Sequence, residues 1–156
     1  MKISILTISD TRNFDNDTSG LFIKDFFISK KNKVINYEIV IDEKNKIKNK
    51  LLNYTKENID LILTTGGTGV APRDVTPEAT SEVIEKKVPG ISEYIRYISF
   101  QKTSHACLSR NVSGIKNKTL IVNLPGSKKA VSEILPLIYE PLVHAIDLIN
   151  NRSTFH

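Results

Sequence analysis

Leu61-Ile62-Leu63-Thr64-Thr65 runs directly into Gly66-Gly67-Thr68-Gly69, and a few residues later Thr76-Pro77-Glu78 opens a new segment. A short apolar run that stops at a glycine turn reads as a buried strand. Thr76 then reads as a helix cap, with Pro77 at the first helical position, where no amide donor is lost. Lys86 and Lys87 suit the negative end of that helix. A strand that passes through a tight turn into a helix is half of a βαβ unit, and the same alternation recurs on both sides.

Upstream, Ile3 to Ser9 is β-branched without helical period and ends at Asp10-Thr11-Arg12-Asn13, so it reads as a buried first strand. Thr18 or Ser19 caps a helix that uses Leu21, Ile23, Phe26 and Phe27 and ends near Lys31. Val34 to Ile41 is a second strand. Asp42 then stands at the N-cap of a helix from Glu43 to about Asn58, with Ile47, Leu51, Leu52 and Tyr54 on a 3.6-residue spacing. Downstream, Val88-Pro89-Gly90 breaks the chain before a helical segment from about Ser92 to Gln101. Leu108 to Ile115 and Thr119 to Leu124 are strands joined by the short turn Lys116-Asn117-Lys118, which favours an antiparallel hairpin. The last strand ends at Pro125-Gly126-Ser127. Lys128 to Asn150 is helical, with Pro136 and Pro141 starting a new helix or kinking the existing one. Together these elements predict one domain over residues 1–156 of class α/β, a three-layer α/β/α sandwich with a mostly parallel sheet and an antiparallel edge hairpin.

With 40% apolar and 25% charged residues in 156, the chain has the composition of a globular domain rather than a disordered one. The net charge of +5 favours phosphate-bearing ligands. Its basic clusters, Lys30, Lys31, Lys33 and Lys44, Lys46, Lys48, Lys50, lack interleaved aromatic residues, which argues against nucleic acid as a partner. Cys107 is the only cysteine, so an internal disulfide is excluded and a reducing, cytoplasmic compartment is expected, with Cys107 itself a buried small residue. The first apolar run is too short for a signal peptide, and no apolar stretch approaches the ~18 residues of a membrane span. His105, His144 and His156 show no metal-ligand spacing, and no G-x-S-x-G elbow points to a hydrolase.

Every strand of an open parallel sheet delivers its following loop to one edge, where ligand crevices form. Here that edge collects Ser9 and Asp10, then Asp42, then the glycine turn and Asp74, and finally Asn123 with Pro125-Gly126-Ser127. Glycines allow backbone amides to approach an anion. The turn is neither a Walker loop nor a dinucleotide fingerprint. Asp42 and Asp74 are placed to hold Mg²⁺ against phosphate oxygens, although each also has an ordinary structural use, Asp42 as a helix cap and Asp74 as an acceptor in the turn before Thr76.

Leu63-Thr64-Thr65-Gly66-Gly67-Thr68-Gly69 followed by Ala71-Pro72-Arg73-Asp74-Val75-Thr76-Pro77-Glu78-Ala79-Thr80 closely resembles the molybdopterin-binding family of molybdenum cofactor biosynthesis, which includes MoaB, MogA and the G domain of gephyrin. Ile8-Ser9-Asp10, Asp17-Thr18-Ser19-Gly20, Leu108-Ser109-Arg110 and Asn123-Leu124-Pro125-Gly126-Ser127 match in order across nearly the whole chain. The resemblance implies a molybdopterin adenylyltransferase that uses Mg²⁺ and ATP. By the same resemblance, Asp42 and Asp74 match the family's essential aspartates, which implies that they are the catalytic and metal-holding carboxylates. Molybdopterin contacts are implied at Gly66, Gly67, Thr68, Gly69, Ser99, Ser109, Asn123, Pro125, Gly126 and Ser127, and nucleotide contacts at Ser9, Asp10, Asp42, Gly67 and Asp74. It further implies a homotrimer or hexamer and hand-off of the product to a molybdenum insertase. Ile91, Tyr94, Ile95, Tyr97, Ile98 and Phe100 give the segment after Pro89-Gly90 more apolar surface than one helix of a small domain buries, which agrees with assembly. A non-catalytic pterin carrier and a partner-scaffolding module are the rival readings. Both retained aspartates favour catalysis.

Overall fold

The computed structural model describes residues 1–152; His156 lies outside them. Four parallel strands make up most of a six-stranded sheet: β1 (Lys2–Ile8), β2 (Lys33–Val40), β3 (Leu61–Thr65) and β6 (Thr119–Leu124), with β2 at one edge and with β4 (Lys86–Lys87) and β5 (Ser113–Lys116) added at the other. The spatial order is β2-β1-β3-β6-β5-β4, with β5 antiparallel to both of its neighbours. The three-layer α/β/α architecture is as expected. The edge is larger than a hairpin, because Lys86 and Lys87 pair with Ile115 and Gly114 instead of ending a helix.

Alternation along β1 sends Ile3 and Ile5 to one face and Leu6 and Ile8 to the other, as a strand covered on both sides requires. The first face is covered by α1 (Thr18–Ser29), α4 (Pro89–Phe100) and α5 (Lys128–Ile149), through Ile23, Phe27, Ile95, Ile98, Val131, Ile134, Leu135 and Ile138 among others. The second is covered by α2 (Lys44–Tyr54) and α3 (Thr76–Ser81), with Ile47, Leu51, Tyr54 and Ala79. Burying each such aliphatic side chain stabilises the fold by about 1.5–3 kcal/mol.

Several boundaries differ from those expected, each for a local reason. Helix α1 is capped by Asp17, whose carboxylate accepts from the Gly20 amide at 3.0 Å, so Thr18 and Ser19 fall inside the first turn. The cap of α2 is Glu43, without a side-chain cap bond, and α2 stops at Tyr54. Asp42 is therefore not spent as a cap. Helix α3 starts at Thr76 after Val75, and Thr76 Oγ1 instead donates to the Gly66 carbonyl at 2.9 Å. Residues 104–108 form a 3₁₀ turn where a strand was expected to begin, and Cys107 within it is exposed, not buried. Helix α5 runs unbroken through Pro136 and Pro141.

Candidate functional site

Strands β1, β2, β3 and β6 all end at the same edge, with Thr7 beside Thr65 and Thr65 beside Leu124 in register. Chain order reverses between β1 and β3, because β1 leads to β2 on one side while β3 lies on the other. That reversal opens a crevice at the strand ends. Its walls are Ile8, Ser9, Thr11, Arg12, Asp42, Gly66, Gly67, Asp74, Gly126 and Ser127, and it encloses ≈ 360 Å³.

The glycine turn forms the floor. Gly66 has φ +102° and Gly67 φ +63°, a region that side chains with a Cβ rarely adopt. A Cβ on Gly66 would fall on the Ile8 carbonyl oxygen, and one on Gly67 would collide with Thr76 Oγ1 and lie 2.9 Å from Asp42 Oδ1. Thr65 Oγ1 donates to Pro125 O at 2.7 Å and the Gly66 amide to Leu124 O at 3.3 Å, so the glycine turn and the Pro125-Gly126-Ser127 turn are tied together. Ser127 caps α5 by accepting from the Ala130 amide at 3.1 Å, which places the positive end of a 22-residue helix at the crevice.

Asp42 and Asp74 both face this space. Burial, and then the negative charges of Asp10 and Asp74, push the Asp42 carboxyl above its ordinary range. Such a carboxylate gains from a nearby cation. Asp74 also serves its turn, accepting from the Ala71 amide at 2.9 Å. Among the described residues no group of three or more His, Cys, Asp or Glu gathers as a metal site. Mg²⁺ asks for less, since one or two carboxylates plus phosphate oxygens and water satisfy it. The oxygen donors of Asp42 and Asp74, open to the crevice, fit that chemistry.

Asp10 is placed differently from its neighbours. Its carboxylate takes a bidentate pair from Arg73 (Nε 2.9 Å, Nη2 2.7 Å) and the Asp42 amide at 3.1 Å, and these bonds hold it below the ordinary carboxylate range. It braces the Asp42 backbone rather than lining the crevice.

On the other side of the glycine turn lies a more apolar recess of ≈ 240 Å³, bounded by Thr68, Gly69, Ile95, Ser99, Thr103, His105, Ala106, Leu108, Ser109, Pro125 and Ala130. The expected pterin residues thus divide between two spaces. Gly66, Gly67, Gly126 and Ser127 line the polar crevice, while Thr68, Gly69, Ser99, Ser109 and Pro125 line the recess. Asn123 reaches neither. It is fully buried, donates to Thr64 Oγ1 and Thr80 Oγ1 at 2.9 Å each, and accepts from the Val112 amide at 3.2 Å, so it supports the site from below.

Two arginines were not singled out from sequence. Arg110 reaches the glycine loop through the Gly69 and Asp74 carbonyls, both at 2.6 Å, and pairs with Glu78. Arg12 lines the crevice itself. Its position two residues after Asp10, in the loop leaving β1, was the available signal.

Residues 4–145 match the family model described as a probable molybdopterin binding domain. The chain is 46% identical over 151 residues to the molybdenum cofactor synthesis protein cinnamon of Drosophila melanogaster, covering 94% of this chain and 25% of that protein. It is also 46% identical over 114 residues to the molybdopterin adenylyltransferase of Helicobacter pylori, covering 72% of this chain and 65% of that one. The chain thus spans a quarter of the first relative and just under two thirds of the second. The crystal structure of the molybdopterin biosynthesis enzyme MoaB of Thermus thermophilus superposes with a TM-score of 0.87 at 43% identity, covering 97% of this chain and 98% of that one.

Proposed function

This chain belongs to the molybdopterin-binding domain family of molybdenum cofactor biosynthesis, and from that premise we propose that it is a molybdopterin adenylyltransferase acting as a single domain in the cytoplasm. One observation carries the reading: a polar crevice with two carboxylates and an apolar recess with two serines share the glycine turn and the Pro125-Gly126 turn as their common wall. A flat heterocycle suits the recess, and phosphate groups suit the crevice. A ligand with a pterin at one end and a monophosphate at the other spans the two.

The reaction in this reading is attack by a terminal phosphate oxygen of molybdopterin on the α-phosphorus of ATP. A new P–O bond forms, the bond to the β-phosphate oxygen breaks, and pyrophosphate leaves. Asp42 and Asp74 would hold Mg²⁺, which when bound neutralises phosphate charge. The backbone of Gly66 and Gly67 lets both phosphates approach without a Cβ in the way. The N-terminus of α5, behind Ser127, favours the negative charge that gathers there. Gly69, Ser99 and Ser109 hold the pterin. Much of the catalysis is positioning, which converts a bimolecular encounter into a near-unimolecular step. A trimeric or hexameric assembly and delivery of the adenylylated pterin to an insertase belong to the same reading.

The test is pyrophosphate release from purified protein with molybdopterin, ATP and Mg²⁺. Release that needs all three supports the proposal. Saturable molybdopterin binding with no release under any condition would replace it with the non-catalytic carrier.

A further inference from the structure

Arg12 is the one cation among the described residues lining the crevice, which otherwise carries the carboxylates of Asp42 and Asp74. Its guanidinium is held from both sides. Nη1 donates to Asp17 Oδ1 at 3.3 Å and to Ser19 Oγ, at the start of α1, while Nη2 donates to the Gly126 carbonyl at 2.8 Å. Asp17 is itself fixed by Thr7 Oγ1 at 2.5 Å, Tyr37 Oη at 2.8 Å and the Gly20 amide at 3.0 Å. The group cannot swing freely.

A guanidinium has five N–H donors. Three are spent on Asp17, Ser19 and Gly126, which leaves Nε–H and the second Nη2 hydrogen without an acceptor among the described residues. The side chain keeps 27% of its surface exposed, and the residue lines the same space as Gly66, Gly67 and Ser127. Two spare donors on an immobilised, permanently charged fork match the geometry of a phosphoryl group. Resting on the adenylyltransferase reading, we propose that Arg12 binds a phosphoryl oxygen of the substrate between the Gly66-Gly67 turn and the Gly126-Ser127 turn, with Asp17 as its positioning residue. The phosphoryl group is either the monophosphate of molybdopterin or the α-phosphate of the nucleotide.

The experiment compares each phosphorylated ligand with its unphosphorylated form, by calorimetric titration of the full chain: molybdopterin against its dephosphorylated form, and AMP against adenosine. For the pair that Arg12 touches, Arg12→Gln shrinks the ratio of the two dissociation constants by about 10- to 100-fold. Arg12→Lys, which keeps the charge and loses the fork, shrinks it less. The pair that responds identifies the phosphate. A merely structural arginine would weaken both members of each pair alike and leave both ratios unmoved, and that result overturns the assignment. A measurement on the unaltered protein covers the case of poorly folding variants: the Arg12 Nε–H resonance in ¹⁵N spectra shifts with the phosphorylated ligand of one pair and not with its unphosphorylated partner. No such difference for either pair also overturns it. Failure of the unaltered protein to bind either phosphorylated ligand would instead remove the adenylyltransferase reading, and the assignment of Arg12 with it.

Discussion

At Gly67 a backbone angle of +63° coincides with a Cβ position that Thr76 Oγ1 already occupies and that lies 2.9 Å from Asp42 Oδ1. Gly67→Val therefore adds a left-handed conformation strained by about 1–2 kcal/mol to a clash in the crevice floor. The variant should fold, with pterin and nucleotide affinity reduced by at least about tenfold (roughly 1.4 kcal/mol). Gly90→Ala is the control, because a Cβ there meets nothing within 4 Å. Unchanged affinity in a well-folded Gly67→Val protein would make the loop only a turn. Asp74 invites a different substitution, since Asp74→Asn keeps an oxygen for the Ala71 amide but removes the charge. Molybdopterin binding should persist while turnover falls at least about 100-fold, near 3 kcal/mol of barrier. Near-normal pyrophosphate release in that variant would end its role with the cation. That Asp42, Asp74, Gly66 and Gly67 meet at one crevice was legible in sequence, because each lies in a loop that follows a parallel strand. Asn123 was not, because burial under the site depends on where Thr64, Thr80 and Val112 come together.

Elements were legible where hydrophobic period and turn chemistry agreed, as in β1, β3, β6 and the two-sided core they build. They were misread where tertiary pairing overrode local signals. Lys86 and Lys87 look like a helix terminus but join the sheet, because β5 offers them an open edge. Pro136 and Pro141 look like breaks, yet α5 continues, its apolar face of Ile134, Leu135, Ile138 and Leu142 held fully or almost fully buried against the sheet. The cap of α1 shows how an element is tied to the site. Burial opposes ionisation of Asp17, but hydrogen bonds from Thr7, Gly20, Tyr37 and Ser19 outweigh it and hold its carboxyl below the ordinary aspartate value of 3.8. A depressed carboxylate stabilises the fold fully above the unfolded value and loses that contribution as pH falls through the folded one. Asp17→Asn, which presents an amide to donors that need an acceptor, should cost about 3 kcal/mol at neutral pH. In urea unfolding the gap between the variant and the unaltered protein should narrow once pH drops below about 3.8. A gap independent of pH would mean that packing, not charge, sets the role of Asp17.

For the whole molecule, the carboxyl edge of the parallel sheet was the most legible feature, since strand direction alone sends Ser9, Asp42, the glycine turn and Ser127 to one rim. The surface of α4 was only partly so. Ile95 and Ile98 turn out to be core, 1% and 6% exposed, whereas Tyr94, Tyr97 and Phe100 stand 40%, 62% and 55% exposed. These three are spaced three residues apart, so they share one side of the helix, and the exposed Leu108 follows in the same region of chain. Isolated apolar residues at a surface need no explanation, but large aromatic side chains repeated along one helix face do. The expected result is self-association through this face into a trimer or hexamer, read by light scattering over a dilution series. Tyr94→Glu with Tyr97→Glu should shift the assembly toward monomer while leaving the far-ultraviolet circular dichroism unchanged, because neither ring belongs to the core. Ile98→Glu is the contrasting variant. It places a charge in the layer between α4 and the sheet, so it should unfold the chain rather than dissociate it. If the unaltered protein scatters as a monomer at micromolar concentration, or if the double tyrosine variant keeps the full assembly, this face is not where copies of the chain meet.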